Sequence, residues 1–161
     1  MQVRLSISEN DWDQVKILIS EYVEWVTHDQ GVDLNFWGIE DELKSLPRPY
    51  SPPDGCMLIA EIDGQAAGCV ALRRFNEEAC EMKRMYVKPE FRTKGIGRAL
   101  SEQIIREAKK MGYRRMCLCT GNTWVAAQKL YQSLGFTPTN QYYDFPPNLL
   151  PSAVFMELSL E

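Results

Sequence analysis

A short segment near the middle of the chain combines basic residues with two glycines, directly before a sequence of helical periodicity. In the stretch YVKPEFRTKGIGRAL these residues are Arg92, Thr93, Lys94, Gly95, Ile96, Gly97 and Arg98. The first N–H groups of a helix lack internal partners, and the helix dipole adds positive potential, so such a junction attracts anions. Glycine removes the side chains that would keep a ligand from the backbone. The segment therefore predicts a site for a diphosphate group.

Two common diphosphate-binding motifs do not fit this segment. A dinucleotide-binding fold needs G-x-G-x-x-G or a similarly small third residue, whereas Leu100 stands at that position. The Walker A motif, G-x-x-x-x-G-K-[ST], does not occur in the sequence. The sequence thus favours a diphosphate ligand other than the NAD or ATP that those motifs would indicate.

Length, composition and charge restrict the class of protein. With 161 residues, 45% of them hydrophobic and 25% charged, we expect a single domain over residues 1–161. A net charge of −4 argues against a nucleic-acid partner, and the sequence shows neither a membrane-spanning run nor a signal peptide. The five cysteines and one histidine lack the usual spacing of a zinc site. We expect a cytoplasmic protein with reduced cysteines, no metal, and no membrane or nucleic-acid partner.

Periodicity and turn residues predict the elements that must position this site. Their order is β-α-α-β-β-β-α-β-α-β, with an edge strand in QVRLSIS, a helix capped by Ser8, a second helix in NFWGIEDELKSL, and a three-stranded meander that turns at Asp63-Gly64. Gly112 and Gly135 are expected to end the last two helices. The predicted fold class is α/β (α+β-like) in three layers. Helices cover both faces of a mixed, mostly antiparallel sheet with one parallel β-α-β crossover.

Two motifs resemble those of the GNAT superfamily of acyl-CoA-dependent N-acetyltransferases. Arg92, Gly95 and Gly97 fill the positions of its motif A, [RQ]-x-x-G-x-[GA], and AAQKLYQSLGF, which contains Tyr131, is similar to its motif B. The predicted order of elements is also the GNAT order, so the resemblance covers nearly the whole chain. It implies a GNAT-type three-layer fold and an enzyme that moves an acetyl group directly from acetyl-CoA, as co-substrate, to a primary amine.

The same resemblance implies a set of cofactor-binding residues. Backbone N–H groups of residues 93–98 would hold the diphosphate of coenzyme A, and the end of the preceding strand would pair with the pantetheine arm. Many members carry an asparagine seven residues before the tyrosine, where this chain has Trp124, so either Asn122 substitutes or the contact is lost. The implied set is Met85, Tyr86, Val87, Arg92, Thr93, Lys94, Gly95, Ile96, Gly97, Arg98, Asn122 and Tyr131.

Three residues are the expected catalytic groups. The resemblance implies that the backbone N–H of Met85 donates to the thioester carbonyl. A tyrosine, with an ordinary pKa of about 10, can protonate a leaving thiolate whose pKa is about 8.5, which suits Tyr131. An amine with a pKa of about 10.4 needs a base, and Glu81 lies on a strand expected to be central, where a charge is costly unless paired or used. The alternative is that Glu81 only pairs with Lys83, two residues along the same strand.

The sequence specifies the acceptor site less closely. The first two helices, their loop and the segment before the last strand offer Trp25, Asp33, Phe36, Trp37, Arg48, Tyr50, Tyr142, Tyr143 and Asp144. Basic residues on adjacent strands would suit an acceptor that bears a carboxylate, unless they are surface charge: Arg73, Arg74, Lys83 and Arg84.

A small-molecule amine is the expected partner, and several alternatives stay open. They are a protein N-terminus or lysine as acceptor, a non-catalytic CoA-binding sensor, and an interaction module that binds no coenzyme. Transfer through an acyl-cysteine at Cys80 or Cys119 is disfavoured because the one histidine is far from both in sequence. By analogy with the superfamily we expect a homodimer.

Overall fold

The computed structural model describes residues 1–161 apart from the side chain of Phe36, so the prediction of Phe36 for the acceptor site lies outside the described residues. The strands within this part are β1 (Gln2–Leu5), β2 (Cys56–Ile62), β3 (Gln65–Arg74), β4 (Ala79–Val87), β5 (Arg115–Gly121), β6 (Thr137–Pro138) and β7 (Ala153–Ser159). They form one sheet in the order β1-β2-β3-β4-β5-β7-β6. β4 and β5 run parallel, and the other neighbours are antiparallel.

Helices cover both faces of this sheet. In the described part of the chain they are α1 (Glu9–Gln30), α2 (Ile39–Ser45), α3 (Ile96–Lys110) and α4 (Val125–Ser133). One buried cluster joins α3 and α4 to the sheet through residues such as Leu100, Ile104 and Tyr131. A second cluster joins α1 and α2 to the sheet, with Leu18 and Ile39 among its members. The predicted three-layer α/β fold with one parallel β-α-β crossover is confirmed.

Local signals in the sequence account for several boundaries. Ser8 caps α1, since its Oγ accepts from the backbone N–H of Asp11 at 3.1 Å while the Asp11 carboxylate accepts from the N–H of Ser8 at 3.0 Å. At the β2–β3 turn, Asp63 and Gly64 have φ values of 50° and 77°, as a tight hairpin of this type requires. These two predictions are confirmed.

One local prediction is wrong, and one short strand was not predicted. The predicted second helix is interrupted, because Leu34–Trp37 form a separate 3₁₀ turn and Gly38, with φ at 69°, turns the chain before α2 begins. The N–H of Gly38 closes that turn by donating to the carbonyl of Asn35 at 3.0 Å. The short strand β6 was not expected, because two residues, one of them proline, carry no alternating pattern.

The sheet opens between its two parallel strands. β4 and β5 are in register only from Ala79 to Glu81, opposite residues 115–117. Beyond that point β4 stays paired with β3 as far as Val87, and β5 stays paired with β7 as far as Gly121. The two halves of the sheet therefore diverge, and within the described residues the edge of β4 from residue 82 to 87 faces a gap.

A β-bulge shapes this free edge. Lys83 pairs with Ala71 and Tyr86 pairs with Cys69, so two residues of β4, Arg84 and Met85, oppose a single residue of β3. Arg84 has a φ of 54°, a left-handed conformation that is costly for a residue other than glycine. Its buried guanidinium donates to both carboxylate oxygens of Glu42 on α2, at 2.8 and 2.7 Å. This ion pair ties α2 to the bulge.

Candidate active site

The gap between β4 and β5 contains a cavity of about 510 Å³. Its walls come from residues 82–87 of β4, residues 118–120 of β5, the second half of α1 and the start of α4. Five of the residues expected to bind the cofactor line it: Met85, Tyr86, Val87, Arg92 and Tyr131. An extended ligand with amide groups, such as pantetheine, can pair with a free strand edge as a further strand would.

The segment here called the loop of residues 92–98 comprises the end of the connection from β4, residues 92–95, and the first three residues of α3. Gly95 is the N-cap of α3 and has a φ of 78°, and Thr93 is left-handed as well, with φ at 64°. A Cβ placed on Gly97 would lie 3.4 Å from Leu130 and 4.0 Å from Val87, which are ordinary contacts. Packing within the protein therefore does not require glycine at position 97, whereas close approach of a ligand to the backbone does. Because residues 92–95 are exposed, the N-terminus of α3 is open to an anion.

The basic side chains of this loop differ in their surroundings. Arg92 donates from Nε to the carbonyl of Val87 at 3.1 Å, and its guanidinium lies 5.7 Å from the ring centre of Trp25, so it is held at the cavity wall. Arg98 is exposed and donates to Oγ of Ser133 on α4 at 2.7 Å. The ammonium of Lys94 lies over the ring of a neighbouring phenylalanine at 5.2 Å.

Tyr131 projects from α4 and is largely buried, with 6% of its surface exposed. Its ring packs edge-on against Phe136, with 5.8 Å between the ring centres. Burial raises the pKa of Tyr131, and the nearby Tyr22 adds to the effect. The phenol therefore stays protonated at neutral pH, which is the form that a proton donor requires.

A smaller cavity of about 120 Å³ adjoins the first. The two cavities share the wall formed by Tyr22, Met82, Lys83, Arg84, Cys119, Thr120 and Trp124. Among the predicted acceptor-site residues, Trp37 and Tyr143 line the smaller cavity and Trp25 lines the larger. Tyr50 and Tyr142 stand behind the wall as hydrogen-bond donors to Glu42 and Glu81, respectively. Neither cavity is lined by Asp33, Arg48 or Asp144, which were also predicted for the acceptor site.

Comparison with known proteins decides the family. The family model of the GNAT acetyltransferase domain matches residues 53–138. An uncharacterized N-acetyltransferase of Schizosaccharomyces pombe is 41% identical over 152 residues, which cover 93% of this chain and 89% of that protein. This chain belongs to the GNAT superfamily. It is an N-acetyltransferase.

Other GNAT proteins match part of the chain or its fold. Human N-acetylaspartate synthetase is 42% identical over 86 residues, which make up 53% of this chain and 28% of that protein. The structure of the PaiA N-acetyltransferase of Thermoplasma acidophilum in complex with coenzyme A superposes with a TM-score of 0.73 over 99% of both chains. At 22% identity that likeness concerns the fold alone.

The described residues contain neither a membrane-spanning helix nor a cluster of metal-ligating side chains. Their helices do not combine the length and the apolar character that crossing a membrane requires. Their His, Cys, Asp and Glu side chains form no group of three or more that could hold a metal ion.

Glu81 of this GNAT enzyme lies where β4 and β5 part, and 2% of its surface is exposed. Arg73 donates from Nε to its Oε2 at 2.8 Å, Tyr142 donates to Oε1 at 3.1 Å, and Nζ of Lys83 lies 3.8 Å from Oε1. The carboxylate thus has the partners that a buried charge needs, including the expected Lys83. It also lines the smaller cavity, so a structural role and a catalytic role are compatible.

The neighbouring charges shift one another's protonation. Burial, followed by the positive charge of Arg84, lowers the pKa of Lys83 to about 8, although Glu81 opposes the change. Burial alone would raise the pKa of Glu42, but hydrogen bonding and charge from Arg84 outweigh it and hold that pKa below its ordinary value. The Glu42 carboxylate therefore stays ionised beside Arg84, whereas the Lys83 ammonium loses its proton more readily than that of an ordinary lysine.

The cysteines at this site are poor nucleophiles. Cys119 lines both cavities, and burial raises the pKa of its thiol to about 11. Burial likewise raises the pKa of the Cys80 thiol to about 12. Because the thiolate is the reactive form, these thiols favour direct transfer over an acyl-cysteine route.

Asn122 is placed away from the cavity. Its side-chain amide donates to the carbonyl of Pro151 at 3.1 Å, and its N–H donates to the carbonyl of Ser152 at 2.8 Å. Trp124, at the position where many relatives carry asparagine, lines both cavities, and its ring centre lies 4.8 Å from that of Trp25. In this structure an indole thus occupies the wall where the family pattern has an amide, and the role predicted for Asn122 remains a prediction.

Two site residues were not identified from the sequence. Tyr22 lines both cavities, but its helical spacing indicated only the apolar face of α1. Glu42 anchors Arg84 from α2 and lies inside the predicted second helix, whose pattern gave no indication of this pairing. The sequence did offer one indication of a role for Glu42. Tyr50 follows it by eight residues, across a proline-rich turn, and the Tyr50 hydroxyl donates to the Glu42 carboxylate.

Proposed function

We propose that this enzyme transfers the acetyl group of acetyl-CoA directly to the primary amine of a small molecule. The junction of the two cavities carries this proposal. The larger one follows the free edge of β4 toward the loop of residues 92–98, and the smaller one meets it along a common wall that includes Lys83 and Cys119. Two adjoining cavities of unequal size, with a wall in common, suit a reaction between a long donor and a short acceptor.

Acetyl-CoA supplies the acetyl group as a thioester. We assign to the backbone N–H of Met85, on the bulge, the stabilisation of the carbonyl oxygen as it gains negative charge. The amine nitrogen forms a bond to the acetyl carbon, the carbon–sulfur bond breaks, and the amine loses one proton. Glu81 takes up that proton, directly or through a water molecule, and Tyr131 donates a proton to the leaving sulfur.

A small acceptor is favoured over a protein terminus or lysine by the shape of the smaller cavity. It holds about 120 Å³ and is bounded by Tyr143, Phe145 and Leu149, which precede β7. The name of the relative N-acetylaspartate synthetase denotes an acetylated amino acid, which supports an acceptor of this size.

The proposal is tested by following the release of the coenzyme A thiol, with the product identified by mass spectrometry. The substrates are a panel of small primary amines and amino acids, alongside peptides with a free N-terminus and an internal lysine. We expect enzyme-dependent release with at least one small amine, together with an N-acetylated product, and slower release with every peptide. Release with peptides alone would overturn the small-molecule assignment, and no release with any amine would favour the non-catalytic sensor.

Glu81→Gln separates the two roles of the carboxylate. If Glu81 is the base, kcat at pH 7 falls by about 100-fold. The deficit shrinks as the pH rises toward the amine's own pKa of about 10.4, because more of the amine is then already neutral. The measurement is the pH profile of kcat for both forms. A variant that loses unfolding free energy but keeps the wild-type profile would show a structural role only.

Glu61→Gln is the matched control for this variant. Glu61 lies on β2 and pairs with Arg4 at 2.7 Å, outside the linings of both cavities. The Glu61→Gln substitution removes a paired carboxylate from the same sheet, so it controls for the general effect of losing an ion pair. Its pH profile is expected to match that of the wild type.

Three further expectations stay predictions of this proposal. They are that residues 1–161 form a single domain, that the enzyme is cytoplasmic, and that it is a homodimer. The cysteines of the described chain are all free thiols, which suits a reducing compartment.

A further inference from the structure

The charged groups at the smaller cavity do not balance. Glu81, Lys83 and Arg84 line it. Arg84 is bound through both Nε and Nη2 to Glu42, and Glu81 is bound by Arg73 at 2.8 Å. These two short ion pairs match two cations with two carboxylates.

Lys83 is the third cation of this group, and both carboxylates of the group are already paired with arginines. Its ion-pair partner Glu81, at 3.8 Å, is already bound more closely by Arg73. Counting the described side chains of this group, three cations face two carboxylates, and one positive charge is in excess. The lowered pKa of Lys83 has the same origin, since burial and two neighbouring arginines disfavour its charge more than the carboxylates favour it. An anionic ligand group beside Nζ would complete the balance.

The wall beyond these charges is mostly apolar. Its apolar and aromatic members include Val26, Leu34, Trp37, Tyr143, Phe145 and Leu149, and Thr120 and Ser152 are among its polar members. A cavity of about 150 Å³ with an apolar lining accommodates a benzene molecule, so one of this size has room for a branched side chain of three or four carbons. Apart from Lys83 and Arg84, the described lining residues include no cation, so a second carboxylate on the ligand would be buried without a charged partner, at a high desolvation cost.

We propose that the acceptor is an amino acid with a small apolar side chain, whose carboxylate pairs with Lys83 while its amine meets the acetyl group at the junction of the cavities. This inference rests on the proposed function. It distinguishes the acceptor from amines without a carboxylate, which would leave the excess charge of Lys83 unmatched. The inference also excludes polyamines as the preferred acceptor, because they would add charge of the same sign as Lys83. Acidic amino acids are disfavoured because their second carboxylate would face the apolar part of the wall.

The first test compares wild-type kcat/KM for leucine with that for 3-methylbutylamine, which is leucine without its carboxylate. A charge-assisted pair with Lys83 is expected to favour leucine by about tenfold to a hundredfold. Aspartate is expected to react more slowly than leucine. Equal values for leucine and 3-methylbutylamine, or faster reaction of aspartate, would overturn the inference and leave the proposed function standing. No reaction with any amine would overturn both.

The second test assigns the preference to Lys83. In Lys83→Gln the ratio of kcat/KM for leucine over 3-methylbutylamine is expected to fall at least about tenfold, and Lys83→Arg is expected to restore most of it. Lys88→Gln is the matched control, because Lys88 is a partly buried lysine next to β4 that pairs with Glu21 at 3.3 Å and lines neither cavity. A structural defect would lower kcat/KM for both substrates by the same factor and leave their ratio unchanged. An unchanged ratio in Lys83→Gln would therefore overturn the assignment.

The pH dependence provides an independent readout. The titratable and charged groups that face Lys83 come from six parts of the fold: Tyr22 of α1, Glu42 of α2, Arg73 of β3, Glu81 and Arg84 of β4, Cys119 of β5, and Tyr142 and Tyr143 after β6. As the pH rises through about 8, Lys83 loses its charge, and the preference for leucine is expected to fall in the wild type. In Lys83→Arg, which stays charged, the preference is expected to stay constant over the same range. A wild-type preference that does not change with pH would contradict the pairing.

Discussion

Replacing Arg84 by methionine is expected to lower the free energy of unfolding by about 3–5 kcal/mol, the range for breaking a buried ion pair. Methionine keeps most of the length of the side chain but leaves Glu42 as an unpaired charge in the interior. The Arg84 and Glu42 side chains are only 6% and 10% exposed, so water cannot readily solvate that charge. Chemical denaturation followed by circular dichroism measures the loss.

The pairing itself is isolated by adding Glu42→Gln to Arg84→Met. Glutamine can still accept the hydrogen bond of Tyr50 and carries no charge, so the double variant is expected to recover about 1–3 kcal/mol relative to additivity. Lys110→Ala, which removes an exposed ion pair with Glu107, is the control and is expected to cost less than about 1 kcal/mol. Strict additivity of the two substitutions would show that the pair does not hold α2 against the bulge.

The sign of the pH effect follows from the lowered pKa of Glu42. Its contribution is fully present above the unfolded-state value of about 4.3 and is lost as the pH falls toward the depressed folded-state value. Arg84→Met removes the cause of the depression. The variant is therefore expected to lose less stability than the wild type between neutral pH and acid.

The second large effect is expected from Tyr131→Phe, in which kcat falls by about 10² to 10⁴ because the leaving thiolate loses its proton donor. The substitution keeps the ring that packs on Phe136, so the affinity for acetyl-CoA and the melting temperature are expected to change little. Steady-state thiol release gives kcat, and calorimetric titration gives the affinity. Since burial raises the pKa of Tyr131, the wild-type kcat is expected to show no loss from its ionisation below about pH 10.

Tyr113→Phe is the matched control for the loss of a phenol hydroxyl. Tyr113 belongs to the same buried cluster as Tyr131, but its hydroxyl donates to the carbonyl of Asp54 at 2.7 Å, and it lines neither cavity. It is expected to keep the wild-type kcat. If Tyr131→Phe instead weakens acetyl-CoA binding and leaves kcat within about threefold, the hydroxyl binds the coenzyme and donates no proton.

The fold could be predicted because its signals are local or periodic. The capping box at Ser8, the turn at Asp63-Gly64 and the helical spacing from Ile96 to Ala108 each depend on a few neighbouring residues. Their order in the chain then restricts the topology to a meander followed by one parallel crossover. The interruption at Gly38 was missed because a glycine within a helical pattern is tolerated as often as it ends the helix.

The site was predictable only where a short motif carries it. The loop of residues 92–98 and Tyr131 were predicted in this way, and the structure places Arg92, the edge of β4 and Tyr131 around one gap. The pairing of Arg84 with Glu42 joins residues that are 42 positions apart, and Tyr142 reaches Glu81 across 61 positions. Such contacts depend on how α2 and the segment before β7 fold back over the sheet, which periodicity does not encode.

The central claim, that the loop of residues 92–98 binds the diphosphate of acetyl-CoA, is tested most directly by calorimetric titration of the wild type and Gly97→Glu. Lys109→Ala, an equal change of charge at the exposed far end of α3, is the control. We expect micromolar binding by the wild type and the control, and at least tenfold weaker binding by Gly97→Glu, on the order of one repelled charge. Equal binding by all three proteins, or no binding by the wild type, would contradict the account.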